Sequence, residues 1–432
     1  MSYLPYLLAL SLASAAPPEP RATFTLEQSL EVARSRHPRL RSAASVVEAS
    51  AAQQDVTFSP FLPQLGFTLG YQRTTGNVAP RPGQTFGAVP EPTFDGFNYY
   101  SASLTMNQLI WDFGQTLHRW EAAQSTLGAA RASLRAVRLE VELGVRVAYV
   151  NALAAKALVV VAEENLASEQ RHLKQVQAFV AAEARPAVEL AKSRALVAAA
   201  EAQLIAARGG YDGALSQLRL AMGVSALPGG DPADLPEKPA GDDGDLDALL
   251  AKAVKARPEL QALALQEEAQ RLITDAARGA YWPTFGLTLA VTDAGTELTK
   301  LGWNMSAGIG LTWNFYQGGL TAAQVRQAEA VLEGLAANVE AAVHGIRAEI
   351  AQILIDLRTA RGQLAASEEA LAQAREQVRL AEGRYAARVG SVIELADAET
   401  ARANAATNVV VVRFRMALAR VRLIRALGEG VP

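Results

Sequence analysis

Cysteine is absent from all 432 residues. That excludes disulfides, thiolate metal sites and a lipid-modified N-terminal cysteine. Aromatic residues are scarce, at 6%, a level that suits extended helices better than a thick globular core. Charge of one sign is not in excess either: a net charge of −3 disfavours a basic nucleic-acid binder. No uninterrupted apolar run beyond the N-terminus approaches the roughly 18 residues of a membrane helix. Signatures of catalysis are missing: there is no P-loop, no G-x-G-x-x-G and no H-E-x-x-H. The histidines His37, His118, His172 and His344 are scattered without ligand spacing, so neither a metal site nor a cofactor is expected.

What is present begins with an export signal. Leu7 to Ala13 is apolar and runs into Ala13-Ser14-Ala15, an A-x-A cleavage pattern. Residues 1–15 are therefore expected to be a signal peptide, although its start carries no Lys or Arg. An exported chain without a membrane helix is either soluble or a β-barrel.

The stretch around Gly318 and Gly319 separates two periodicities. Before it, Trp303, Met305, Ala307, Ile309, Leu311 and Trp313 alternate with Asn304, Ser306, Gly308, Gly310, Thr312 and Asn314. Period two with aromatic ends, over about ten residues, matches a membrane β-strand better than a soluble one. From Leu320 the chain is rich in Ala, Gln and Glu, with no proline until Pro432, which predicts a very long helix.

The same transition occurs earlier, because the chain is two copies of one unit. Arg36-His37-Pro38 matches Ala256-Arg257-Pro258 at an offset of 220, as do Pro63 with Pro283 and Gly66-Phe67-Thr68-Leu69 with Gly286-Leu287-Thr288-Leu289. Beyond the strands the offset is 205, pairing Gly114 with Gly319, Glu189-Leu190 with Glu394-Leu395 and Ala221-Met222-Gly223 with Ala426-Leu427-Gly428. Repeat one is placed at 16–224, a Gly/Pro/Asp linker at 225–245 and repeat two at 246–432. Each reads helix, strand, strand, long helix, turn, helix. The first helix is expected from Leu26 to Thr57, capped by Thr25 with Gln28. Thr74 to Phe97 is expected to be a long exposed loop. The long helices, at about 1.5 Å per residue over some 70 residues, reach on the order of 100 Å.

Four membrane strands cannot close a barrel, and open edges in a bilayer leave backbone groups unpaired at several kcal/mol each. The chain must share a barrel with copies of itself. Two copies give eight strands, a barrel filled by its own side chains; three give twelve, which leaves a lumen. Ser, Thr, Asn and Gly on the inward faces suit a wet lumen. The long amphipathic helices are expected to pack as coiled coils. Taken alone, they also fit a secreted, soluble coiled-coil structural protein. An exported enzyme has no motif in its favour.

With Phe315-Tyr316-Gln317-Gly318-Gly319 as strand-to-helix junction and Tyr385 to Ala398, YAARVGSVIELADA, as turn, the sequence resembles the TolC family of outer-membrane efflux and secretion ducts. Pro38, Pro258, Pro63 and Pro283 also fit. The resemblance implies a homotrimer with a twelve-stranded barrel in the outer membrane of a Gram-negative bacterium. It further implies an α-helical tunnel through the periplasm, an equatorial belt from linker and chain ends, and docking on a periplasmic adaptor and an inner-membrane transporter. Drug efflux, metal efflux and type I secretion are not separated by these motifs.

Glu394 and Asp397, three apart, share a helix face just after the turn. The resemblance implies that they line the periplasmic entrance, where three copies would form a ring of six carboxylates; the plain alternative is that they stabilise a helix N-terminus. Glu189 and Lys192 stand at the matching places in repeat one. Lys192 is either a closing partner for a carboxylate or a solvated lysine. The turns expected to touch an adaptor are Arg185-Pro186 and Val389-Gly390-Ser391, and the first lacks the Val-Gly of the second. Trp303, Trp313, Trp282, Tyr71, Tyr99 and Tyr100 lie near strand ends, as interfacial belts or as packing between helix and barrel.

Overall fold

A computed structural model describes residues 23–75, 94–235 and 244–428. Residues 1–15, and parts of the expected loop and linker, lie outside the described residues. The chain runs α1 (Leu26–Arg36), α2 (Pro38–Phe58), β1 (Gln64–Thr75), β2 (Gly96–Trp111), α3 (Gln115–Ala181) and α4 (Ala187–Met222). It continues with α5 (Leu246–Ala256), α6 (Pro258–Gly279), β3 (Thr284–Gly295), β4 (Gly302–Thr312), α7 (Leu320–Ala386) and α8 (Val392–Ala426).

One helix was expected over 26–57, and two are found. Pro38 lacks an N–H, and its ring drives His37 out of the helical region to φ −65°, ψ 125°. His37 then caps α2, its Nδ1 accepting from Arg39 N–H at 3.1 Å. Arg257 before Pro258 breaks repeat two in the same way. Thr25 caps α1 reciprocally with Gln28, through bonds of 3.2 and 2.8 Å.

The long helices α3 and α7 both contain 67 residues, close to 100 Å each. One window of α3 is apolar enough to resemble a membrane span, but nearly half of it is buried within the chain. Its Val141, Val145 and Tyr149 pack with Ala33, Leu218 and Met222. Repeat two builds the same core from Ile346, Ile350, Leu354, Ala253, Leu423 and Leu427. Tyr149 differs from Leu354 by carrying a hydroxyl, which donates to the carbonyls of Phe24 and Ala233 at 3.0 and 2.6 Å and ties the start of the chain to the linker.

All left-handed residues among those described fall into pairs 205 apart: Phe113 with Gly318, Gly114 with Gly319, Glu183 with Arg388, and Gly223 with Gly428. These are the ends of the long helices and the last turn of each repeat. At Gly223 an added Cβ would lie 2.8 Å from Pro38 Cδ, and at Gly428 it would lie 2.9 Å from the Ala256 carbonyl carbon. Each repeat thus closes by seating a glycine on its own proline kink.

The strands form one antiparallel sheet in the order β1-β2-β3-β4. Register places Phe67 opposite Leu104, Leu104 opposite Val291 and Val291 opposite Met305, so apolar side chains share one face. On the other face Ser103 bonds Thr292 at 3.0 Å and Thr288 bonds Asn107 at 3.1 Å. The β1 and β4 edges have no strand partner within the described chain.

Gly223→Ala should lower unfolding stability by about 2 kcal/mol, combining left-handed strain with the clash at Pro38. Gly144→Ala, at an exposed helical site where a Cβ meets nothing, should be neutral or stabilising by about 0.5–1 kcal/mol. Thermal unfolding in detergent distinguishes them, and equal melting temperatures would contradict the seating of Gly223.

Candidate functional site

Two helical hairpins, α3/α4 and α7/α8, end in turns that lie against each other. The turns share one backbone geometry despite their different sequences. Ala184 N–H donates to the Phe179 carbonyl at 2.9 Å, as Val389 N–H does to Arg384 at 3.0 Å, with Glu183 and Arg388 left-handed in each. The missing Val-Gly in the first turn therefore changes its surface and leaves its path intact.

Arg185 joins the turns. Its Nη2 donates to the Gly390 carbonyl at 2.8 Å, its Nη1 lies 3.6 Å from Glu189 Oε1, and its guanidinium sits 4.9 Å over the Tyr385 ring. The Tyr385 hydroxyl donates to Glu189 Oε2 at 3.0 Å, and Phe179 packs on the ring at 5.8 Å. Gly390 permits this closeness: a Cβ there would lie 3.0 Å from Tyr385 N. Burial, followed by the Glu189 carboxylate, pushes the Tyr385 hydroxyl up to about 12, so it remains a donor at neutral pH.

The expected site residues separate into two groups. Glu189 is turned into the tether. Glu394 is exposed and pairs with Arg384 Nε at 3.0 Å, while the Ser391 hydroxyl accepts from its backbone N–H. Asp397 is exposed one turn further on, and Lys192 is half-buried with no ion pair among the described residues. Pro186 and Val389 are exposed at the tips. Tyr385 had no assigned role in the sequence reading, yet it is the lone aromatic in the 67 residues of α7. In a helix whose other large apolar side chains are all aliphatic, that isolation was the available signal.

A second buried polar group lies above the tips. Glu399, 1% exposed, accepts from Ser168 Oγ at 2.7 Å and Arg402 Nε at 2.8 Å, and lies 3.0 Å from His172 Nε2. Burial alone would raise its carboxyl, but the hydrogen bonds from His172, Ser168 and Arg402 outweigh burial and hold it at about 2. Of these only His172 was weighed from sequence, and it was set aside as lacking ligand spacing, because Ser168 and His172 lie some 230 positions from Glu399.

At the opposite end, Gly114 and Gly319, both left-handed, turn strand into helix. Phe113 stacks on Trp282 at 5.3 Å, Trp313 meets Phe315 at 6.2 Å, and the Trp313 indole donates to the Tyr281 carbonyl. Tyr71 and Tyr100 pair at 5.1 Å near the far end of the strands.

A two-faced sheet with open edges, continuous with helices about 100 Å long that fold back into paired hairpins, defines a membrane-anchored duct subunit. The family described as outer membrane efflux protein matches residues 30–224 and 249–429. The chain belongs to the outer membrane efflux protein family, with its strands in the outer membrane of a Gram-negative bacterium and its helices in the periplasm. It is 25% identical over 357 residues to outer membrane efflux protein BepC of Brucella suis, covering 81% of this chain and 73% of that one. To outer membrane protein TolC of Escherichia coli it is 24% identical over 450 residues, covering 98% and 86%. Its fold is similar to a solved membrane protein from Pseudomonas aeruginosa, with TM-score 0.82 and 22% identity over 94% of this chain and 90% of that one.

Tyr385→Phe should free Glu189 from one hydrogen bond worth about 1 kcal/mol and speed local opening of the tips about fivefold. Amide exchange over residues 182–190 and 387–391 measures this. Unchanged exchange would mean that Arg185 alone holds the turns.

Proposed function

We propose that three copies of this chain form a passive exit duct, the outer-membrane component of a tripartite efflux or type I secretion assembly. The observation that carries this reading is the sheet: one apolar and one hydroxyl-rich face, with both edges unpaired. Twelve strands satisfy the edges and leave room for water, whereas eight would fill the interior. The polar residues of the inward face then line the lumen. The hairpins continue as a helical tunnel, and the linked turns form its periplasmic end. A periplasmic adaptor meets the tips at Arg185-Pro186 and Val389-Gly390-Ser391. Energy comes from an inner-membrane transporter, and this chain conducts without catalysing.

Glu394 and Asp397 present carboxylates at the entrance, where a ring selects by charge. Because Arg384 partly neutralises Glu394, Asp397 carries the larger share of the field. Tyr385, Glu189 and Arg185 hold the two hairpins of each subunit together and resist widening.

Single-channel conductance of the detergent-purified protein in a planar bilayer tests the reading. A stable pore is expected, with cation preference reduced by Asp397→Ala and reduced further when Glu394→Ala is added. A pore with unchanged preference would remove the carboxylate ring, and the absence of any pore would remove the duct.

The two sheet faces give a second test. Leu289→Arg, on the apolar face, should cost about 2–4 kcal/mol and impair barrel assembly, as judged by detergent-stable oligomer. Thr288→Arg should assemble and lower conductance. Equal tolerance at both positions would contradict the assigned lipid and lumen faces.

A further inference from the structure

Where α3 of the first hairpin crosses α7 and α8 of the second, three ligand-bearing side chains converge. His172 Nε2 lies 3.0 Å from Glu399 Oε1 and 3.6 Å from Glu382 Oε1, and the three atoms all lie within 4.8 Å of one another. A tetrahedral zinc ion with bonds of about 2.0–2.2 Å sets its ligand atoms about 3.4 Å apart. The observed separations bracket that value.

The surroundings are those of a metal site in a helix bundle. Glu169 and His172 form a Glu-x-x-His pair on one face of α3, the spacing by which facing helices hold carboxylate-bound metals when each neighbouring helix supplies a further glutamate. Here α7 supplies Glu382 and α8 supplies Glu399. Glu399 is oriented by Ser168 at 2.7 Å on Oε1 and by Arg402 at 2.8 Å on Oε2, as outer partners orient a ligating carboxylate. Arg171 reaches Ser168 from the solvent side at 3.3 Å. Glu169 stands one turn before His172, outside the tight trio. It is 7% exposed, with no hydrogen-bond partner among the described residues. It lines a cavity of about 360 Å³ that also exposes Gln203, Thr400 and Asn404. Glu382, 47% exposed, leaves an approach from solvent.

We propose that His172, Glu382 and Glu399 bind one divalent transition-metal ion, with Glu169 as the adjoining carboxylate, and that the ion staples the two hairpins together just above their tips. One imidazole with carboxylates suits Zn²⁺ or Co²⁺ over Mg²⁺ or Ca²⁺, which prefer oxygen alone. The ion is structural and is not cargo. His172 lies nine residues, on the order of 14 Å, before the end of α3 at Ala181, and Glu382 lies three residues before Tyr385 on α7, so the ion resists the same separation as the tether.

The test is calorimetric titration of Zn²⁺ into chelator-treated, full-length protein in detergent, with visible absorption of the Co²⁺ form. One ion per chain is expected, with Co²⁺ bands of a low-symmetry site. His172→Ala should abolish binding. Glu382→Gln, at a half-exposed position that keeps the fold, should weaken binding at least tenfold and remove any Zn²⁺-dependent rise in Tm. His344→Ala, which removes an exposed histidine beside Glu340, should leave binding unchanged. No stoichiometric binding, or binding indifferent to Glu382→Gln, would overturn the proposal and leave a hydrogen-bonded clamp only. The titration reads metal directly, so a failed conductance experiment would not affect its outcome.

Discussion

The unpaired edges of β1 and β4 set the terms for the rest of the molecule. Hydrocarbon offers backbone N–H and C=O groups no partner, so a four-stranded membrane sheet is unstable until another edge meets it. Association is therefore a condition of inserting the strands. The strand faces follow from the same condition. Once edges pair into a closed wall, one face meets lipid and the other water, and the register aligns Phe67, Leu104, Val291 and Met305 against Thr68, Ser103, Thr292 and Asn304 accordingly.

Helices joined to such a wall must leave it at a fixed angle, and that is where the backbone is most constrained. Gly114 and Gly319 adopt the left-handed conformation immediately before the two longest helices. Phe113 does so without being glycine, at a strain of about 1–2 kcal/mol, while its ring stacks on Trp282. An error of a few degrees there would displace the far end of a 67-residue helix by several ångströms. The stacked aromatics and the proline kinks seated against Gly223 and Gly428 act on the same problem, holding short segments rigid so that long ones arrive in place.

Most of the fold was legible because it obeys periods. Alternation located the strands, the constant offsets exposed the duplication, and glycines marked the junctions. Pro38 was legible as a helix start from its match to Pro258, yet one helix was still drawn over 26–57; the steric demand of proline on its predecessor, His37, is what ends α1. The site was legible in part. Glu394 and Asp397 stand beside a turn and share a face, a local pattern. The tether of Arg185, Glu189 and Tyr385, and the group around Glu399, join residues about 200 or more positions apart. No spacing rule reaches that far; only the packing of one hairpin on the other brings them together.

The two repeats are alike in path and unlike in chemistry, and the tips show why that matters. Were the repeats identical, each turn would present the same side chains, and contact between turns would set like against like. Instead the first contributes a guanidinium and a carboxylate, Arg185 and Glu189, while the second contributes a phenol and a bare carbonyl, Tyr385 and Gly390. Donor meets acceptor on both sides. Higher up, His172 and Ser168 of the first hairpin face Glu399 of the second. Duplication supplied two hairpins of equal length, and divergence at a handful of positions made them complementary. The contact between the two hairpins is thereby asymmetric, each side supplying what the other lacks.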